Sequence, residues 1–162
     1  MKLTPIGVIH SPFTSPEGMP ISVRDAKGVK GTVHVRAKYA AGLKDLEGFD
    51  RIWLIFWLDR ARPAKLVVTP YMDTTPRGVF ATRAPSRPNP IGMSCVRLLK
   101  VEGPVLHIGE LDILDGTPLL DIKPYQPSDR FARVSFGWMD KVWASRPRAD
   151  ARFARKDKRR SR

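Results

Sequence analysis

Short apolar segments, each bounded by proline or glycine, follow one another along most of the chain. Residues 29–36 show the clearest pattern, because Val33 and Val35 alternate with polar positions at the period of a half-buried strand. The same reasoning predicts strands at residues 3–10, 65–71, 94–101 and 105–111. Many short strands, together with 15 prolines suited to rims and loops, favour a mostly β fold built as a small closed barrel.

Two segments depart from this alternation. Residues 52–58, with the sequence IWLIFWL, are apolar on both faces, which predicts a central strand or a strand buried against a partner subunit. Residues 39–46 place apolar side chains at helical spacing and predict one short helix, and the stretch with Trp138 and Trp143 predicts another. Turn residues at 102–104 predict a hairpin between the flanking strands.

Length and composition limit the class of protein. A chain of 162 residues fits one domain, and no apolar run approaches the roughly 18 residues that span a bilayer. The first residues lack the pattern of a secretory signal. The single Cys95 allows no internal disulfide and fits a reducing compartment, so we expect a cytoplasmic protein that is not bound to a membrane.

The charge balance points to an anionic partner. There are 29 Lys and Arg against 16 Asp and Glu, a net charge of +13, which suits nucleic acid. Residues 145–162 hold nine basic and two acidic side chains and little apolar surface, so we expect residues 1–144 to form the domain and 145–162 a flexible tail. A purely solubilising role for that tail is the alternative.

A proline-rich segment carries the densest signal for a binding site. Residues 83–94 read RAPSRPNPIGMS, where three prolines within six residues stiffen the backbone and Arg83 and Arg87 supply planar cations. A rigid loop orders its polar groups at little entropic cost, as a ligand site requires. A simple connection between strands is the alternative.

A second segment combines turn chemistry with aligned polar side chains. After the Asp-Gly-Thr-Pro turn at residues 115–118, Asp121, Lys123 and Tyr125 alternate and would share one face of a strand. An exposed ion pair between the first two, of little energetic value, is the alternative. The three histidines are widely spaced and form no ligand pair, so we expect no metal.

The motifs ATRAPSRPNPIGMSCVRLL and LDGTPLLDIKPY, with IGVIHSPF and LEGFDRIWLIFWL before them, resemble those of the TsaA-like β-barrel methyltransferases. The resemblance covers about residues 4–126. It implies a small closed barrel, a homodimer, S-adenosylmethionine as cofactor and tRNA as partner. It also implies a reaction, methylation of the exocyclic nitrogen of a threonylcarbamoyl-adenosine beside the anticodon.

The resemblance also implies site residues. The positions expected to contact the cofactor are Pro20, Ile21, Ser22, Asp59, Arg60, Arg83, Met93, Leu120, Asp121, Ile122 and Lys123. Candidates for substrate contacts are Arg87, Asn89 and Lys123, and candidates for a general base are Asp121 and Tyr125. The chain departs from the family pattern at residues 20–22, where Pro-Arg-Gln is frequent, and at residues 59–60, where His-Gln is frequent.

Three functions compete at this point. No G-x-G-x-x-G segment follows a strand, so a nucleotide would be held without the usual glycine-rich fingerprint. The first function is the tRNA methyltransferase. The second is a methyltransferase for a small molecule or another RNA, which the two departures favour, and the third is an RNA-binding barrel without catalysis, which the charge alone supports.

Overall fold

The structure, a computed structural model, describes residues 2–142 and 148–154. Six antiparallel strands close into a barrel in the order β1-β2-β7-β6-β3-β8, and β4 and β5 form a separate two-stranded ribbon. The strands are β1 Gly7–His10, β2 Lys30–Val35, β3 Arg51–Trp57, β4 Val67–Val68, β5 Arg77–Gly78, β6 Ile91–Glu102, β7 Val105–Gly109 and β8 Thr117–Pro124. Short 3₁₀ helices are formed by Val23–Asp25, Ala37–Leu43, Leu46–Gly48, Val79–Ala81, Pro127–Asp129, Gly137–Lys141 and Ala151–Phe153.

The barrel interior is filled by one set of alternating side chains. In β3, Ile52, Leu54 and Phe56 point inward and are buried, while the residues between them are half-buried on the outer face. Strands that alternate in this way place apolar side chains on the core side and leave the other side for solvent or a partner. The prediction of a central strand at residues 52–58 is confirmed, because β3 pairs with β6 on one edge and with β8 on the other.

The predicted β-barrel is confirmed, with differences in its details. The expected helix at residues 39–46 is a 3₁₀ helix over Ala37–Leu43, and the expected strand at 65–71 shrinks to Val67–Val68. The hairpin at residues 102–104 is present, with Gly103 at φ 57° in the turn between β6 and β7. Propensity and period locate an element more securely than its ends, which tertiary packing sets.

The strand pairings bring most of the predicted site segments to one end of the barrel. We call this end the rim: β1, β3 and β7 finish there, and β2, β6 and β8 begin there, since Ile9 pairs with Thr117, Trp57 with Ile91 and Lys30 with Gly109. Three long connections, residues 11–29, 58–90 and 110–116, leave from the rim. Binding residues commonly lie on loops that a rigid scaffold holds in this way.

Part of the predicted tail packs on the domain. Residues 148–154, which we call the C-terminal strap, form isolated bridges from Arg148 to Pro20 and from Ala154 to Ala61. Ala149 and Phe153 are buried, so this stretch differs from the expected flexible tail because it finds apolar partners on the body. The division at residue 145 stays a prediction, and residues 145–147, 155–162 and Trp143 lie outside the described residues. Within the described residues, no helix is long and apolar enough to cross a membrane.

Candidate functional site

Arg60 anchors the connection that follows β3 to the start of β8. Its Nη2 donates to the Asp115 carbonyl at 2.6 Å and to Thr117 Oγ1 at 3.2 Å, and its Nε lies 3.6 Å from Asp59 Oδ1. Arg60 Nε is also shielded from solvent and has no hydrogen-bond partner in the structure. A buried charged donor of this kind is one that a bound oxygen atom would satisfy.

The proline-rich connection holds its two arginines in different settings. Arg83 is exposed. Arg87 is half-buried, and its Nη1 donates to three backbone carbonyls, those of Val79 at 3.3 Å, Thr82 at 2.9 Å and Ala84 at 3.2 Å. These bonds fold the backbone of residues 79–84 around the Arg87 guanidinium. The predicted substrate contact of Arg87 is untested, and the geometry gives this side chain a role in shaping the loop that presents Arg83.

Asp112 is a buried carboxyl at the rim that the sequence pattern did not reveal. Its Oδ1 is shielded from solvent and has no hydrogen-bond partner. Burial raises the pKa of the Asp112 carboxyl to about 6, while hydrogen bonds involving Ser94 and the Val23 backbone, with the charge of Arg83, offset part of the rise. The only sequence signal was an acid between the apolar residues 111 and 113. A buried acid with a shifted pKa is frequent at functional sites, although structural groups also show such shifts.

Several of the remaining predicted residues lie on the outward side of three adjacent strands of the barrel. Ile55 in the central strand β3 pairs with Met93 of β6 on one side and with Asp121 of β8 on the other. Because neighbouring strands lie about 4.8 Å apart, the Cα atoms of Met93 and Asp121 are about 10 Å apart across Ile55. Trp53 occupies the next outward position of β3 and pairs with Lys123. We call the outward side of β6, β3 and β8 the outer face.

The alternation predicted for the second motif gives neighbouring side chains. Lys123 Nζ lies 2.9 Å from Asp121 Oδ2, and both side chains are largely exposed. The ring centroid of Tyr125 lies 6.3 Å from that of Trp53. The ion pair stated as the alternative is therefore present. It lies on β8, the strand that leads directly into Tyr125.

A β-bulge interrupts β8 inside the predicted cofactor run. Ile55 pairs with Asp121 and Phe56 with Leu119, so Leu120 has no partner on β3. Bulges redirect side chains and are frequent beside active sites. Beyond Leu119, β8 borders a cavity of about 470 Å³ that contacts Asp121 and Ile122 and lies towards the barrel end opposite the rim.

Not every predicted position offers a side chain to a ligand. Pro20 is fully buried and serves the packing of its loop, while Ser22 Oγ donates to Asp25 Oδ2 at 2.7 Å. Gly92, within residues 83–94, has a structural role. That role is close packing, because a Cβ atom there would lie 2.2 Å from the Phe56 ring. Among the described residues, no group of three or more His, Cys, Asp or Glu is arranged to hold a metal.

The structure thus gathers the predicted residues in two adjoining places. The rim carries residues 20–22, 59–60, 83 and 87, together with Asp112, and the outer face carries Met93, Asp121 and Lys123. Ile122, a predicted cofactor contact, instead pairs with the inward-pointing Leu54 and packs against the barrel core. Cations, carboxylates and exposed apolar side chains are the kinds of group that hold a ligand of nucleotide size.

Comparison with known proteins identifies the relatives. Over 138 residues the chain is 54% identical to a probable S-adenosyl-L-methionine-binding protein of Pyrococcus abyssi, covering 85% of this chain and 75% of that protein. It is 39% identical to the tRNA (adenine(37)-N6)-methyltransferase of Escherichia coli, covering 75% of this chain but 56% of the enzyme. The crystal structure of TrmO from Pseudomonas aeruginosa superposes with a TM-score of 0.72 at 36% identity, covering 85% of this chain and 62% of that one.

The family model described as the tRNA-methyltransferase O N-terminal domain matches residues 8–129, which include every predicted site residue. That match spans most of the barrel, and the solved TrmO structure shares the fold. The chain therefore belongs to the tRNA-methyltransferase O N-terminal domain family.

Proposed function

We propose that this protein is an S-adenosylmethionine-dependent methyltransferase that modifies the exocyclic nitrogen of a threonylcarbamoyl-adenosine beside the tRNA anticodon. One observation carries the proposal: segments far apart in the sequence, each matched to the family, converge on one rim and the adjoining outer face. The relatives named above bind this cofactor or methylate tRNA adenine by their names. The net charge of +13 supports an RNA substrate.

The residues present fit the cofactor. Arg83 is exposed at the rim, and Arg60 Nε makes no hydrogen bond although Asp59 Oδ1 lies 3.6 Å away, so these two guanidinium groups suit the cofactor carboxylate, which a planar cation binds in bidentate fashion. Asp121 suits the neighbourhood of the sulfonium, since an opposite charge stabilises it. The half-buried Ile55 and the exposed Met93 supply apolar surface for an adenine ring.

When bound, the cofactor supplies a methyl group already activated by its sulfonium sulfur. The protein's part is then to align the acceptor nitrogen with that methyl, an effect that can supply several kcal/mol. The acceptor nitrogen would take the methyl group in place of the sulfonium sulfur, which would leave as a neutral thioether, and the nitrogen would lose its proton. Asp121 and Tyr125 are the candidates to accept that proton, and Lys123 is placed to hold a substrate carboxylate or phosphate.

We further propose that two copies of the chain form a symmetric dimer through the outer face. Ile91 is 38% exposed there, and Trp53 and Trp57 of β3 are only half-buried. A continuous apolar surface of this kind is typical of an interface, and a two-fold axis would give both copies the same patch. Light scattering at micromolar concentration tests the dimer, and a monomer would contradict it.

One experiment tests the reaction. The protein is incubated with labelled cofactor and two tRNAs that differ only in the threonylcarbamoyl group. Label on the modified tRNA alone is expected. Label held on the protein would contradict direct displacement, and no transfer to either tRNA, with cofactor binding intact, would favour a small-molecule or other RNA acceptor.

A further inference from the structure

The C-terminal strap lies outside the part of the chain that matches the family, which ends at residue 129. Its N-terminal half pairs with the connection that leads to residues 20–22. Gly18 N donates to the Ala149 carbonyl and Ala149 N donates to the Met19 carbonyl, each at 3.0 Å, and Arg148 Nη1 donates to the Gly18 carbonyl at 3.1 Å. Two reciprocal backbone bonds fix the position of one segment against the other.

The C-terminal half of the strap holds the connection that follows residues 59–60. Arg62 N donates to the Phe153 carbonyl at 3.0 Å, Arg62 Nε donates to the Ala154 carbonyl, and Arg62 Nη2 donates to the Ala151 carbonyl at 3.1 Å. Arg62 therefore donates hydrogen bonds to three carbonyls at the C-terminal end of the strap. It lies two residues after Arg60, so a short piece of backbone connects these bonds to the contacts that Arg60 makes at the rim.

The middle of the strap is anchored in a small apolar cluster separate from the barrel core. Phe153 is buried against Val68, Val79 and Ala84, and its ring meets that of Tyr71 edge to face at 5.4 Å. Tyr71 Oη donates to the Asp150 carbonyl at 2.9 Å. Ala84 directly follows Arg83, so the strap also supports the loop that presents that arginine.

We propose that the C-terminal strap is a positioning element that holds the three rim segments bearing residues 20–22, residues 59–60 and Arg83 in the geometry that binds the cofactor. The strap contacts each of these three segments at residues that adjoin it in the sequence, namely residues 18–20, 61–62 and 84. Two of these segments are the places where the chain departs from the family pattern, so the strap supports the part of the site that is particular to this protein. This inference rests on the proposed cofactor site.

Phe153→Ala tests the strap against a matched control, Leu106→Ala. Leu106 is buried in β7, which carries no candidate site residue, so its removal lowers stability without touching the rim. Cofactor affinity is measured by calorimetry at a temperature where both variants are folded. Phe153→Ala should weaken binding by about tenfold, or about 1.4 kcal/mol, while Leu106→Ala stays within about twofold of the wild type. Equal weakening in both variants would overturn the strap's role, as would unchanged affinity in Phe153→Ala.

Hydrogen exchange of the backbone amides gives a readout that needs no cofactor. In Phe153→Ala, and in the milder Phe153→Leu, amides at residues 18–25 and 58–62 should exchange faster, whereas in Leu106→Ala the faster amides should lie in the barrel. Unchanged exchange at both segments would overturn the strap proposal even if the cofactor binds. A wild-type protein that fails to bind the cofactor, with the expected exchange pattern, would instead reject the proposed function and keep the strap.

Discussion

Lys123 Nζ lies 2.9 Å from Asp121 Oδ2 on the outer face, with side chains that are 62% and 46% exposed. An ion pair this open to solvent contributes little to folding, because water screens the attraction and both side chains lose rotamer freedom. A contribution to folding stability therefore does not explain why these two groups are paired. In the proposed reaction each group is available to a ligand, and each partially neutralises the other until the ligand arrives.

Asp121→Asn separates the catalytic role from the structural one. The amide keeps the shape of the carboxylate but cannot accept a proton, so kcat for methyl transfer should fall by about 10²-fold or more if Asp121 is the base. The free energy of unfolding should change by less than about 0.5 kcal/mol. Tyr125→Phe is the comparison, since it removes the other candidate. A normal rate in Asp121→Asn and a strongly reduced one in Tyr125→Phe would transfer the role to the tyrosine.

Arg83 and Arg87 should differ in what their removal costs. Arg83→Ala should weaken cofactor binding by about 1 to 3 kcal/mol because a charge-assisted bond is removed, with the melting temperature unchanged. Arg87→Ala should lower the free energy of unfolding by about 1 to 3 kcal/mol, because three backbone carbonyls lose the Arg87 donor, although that of Val79 keeps its bonds from Thr82. Calorimetric titration and thermal melting of both variants check this, and an unchanged melting temperature for Arg87→Ala would contradict it.

Asp112 should give the protein a distinct dependence of stability on pH. Its folded-state pKa of about 6 lies above the ordinary value of 3.8, so between these values the folded state holds more protons than the unfolded state. The contribution of Asp112 to stability therefore falls as pH rises from about 4 to 6 and is absent above that. A substitution that removes this titrating carboxyl should therefore abolish the fall in its stability contribution with rising pH.

Asp112→Asn should consequently be more stable than the wild type at pH 8, by up to roughly 3 kcal/mol, and close to it at pH 4. Denaturant unfolding at the two pH values measures the difference in the free energy of unfolding between the variant and the wild type. The other carboxyl groups are the same in both proteins, so their contributions cancel in this difference. The affinity for the cofactor at pH 8 is a second readout, since Ser94, Arg83 and the Val23 backbone all interact with this carboxyl. A difference in stability that does not vary with pH would contradict the assignment of the raised pKa.

The barrel could be predicted because its signal is local. Alternation of apolar and polar residues in β2 and the long apolar run of β3 each specify a strand, and proline at the rims excludes helices. The second long motif likewise placed Asp121 in a strand, but only the register showed that Asp121 and Met93 flank Ile55. Pairing partners depend on contacts distant in sequence, which composition does not encode.

The strap and Asp112 escaped prediction for a different reason. Residues 148–154 contain one large apolar side chain, Phe153, so their composition favours a flexible tail, and only the cluster formed by Val68, Val79 and Ala84 gives that ring a partner. Asp112 stands in an apolar run with no spacing typical of a site. Its surroundings, which include Ser94, Arg83 and the Val23 backbone, come from distant parts of the chain and are brought together only by the tertiary fold.

The last eight residues should act on RNA independently of the strap. Residues 155–162 hold six basic side chains and one acidic one, and they follow Ala154, which pairs with Ala61 at the rim. Eight residues span at most about 28 Å, enough to reach phosphates around a nucleotide bound there. Deleting residues 155–162 keeps the strap, so cofactor affinity should stay within about twofold of the wild type, while tRNA affinity falls.

Salt dependence identifies the cause of that fall. For every phosphate that the protein no longer neutralises, the slope of log affinity against log salt should become shallower by about 0.7 to 0.9. A full-length variant with the six basic residues of 155–162 changed to glutamine should match the deletion, because the effect arises from charge and not from length. Filter binding of tRNA over a series of salt concentrations measures all three proteins. An identical slope in the wild type and both variants would show that residues 155–162 bind no RNA and serve solubility alone.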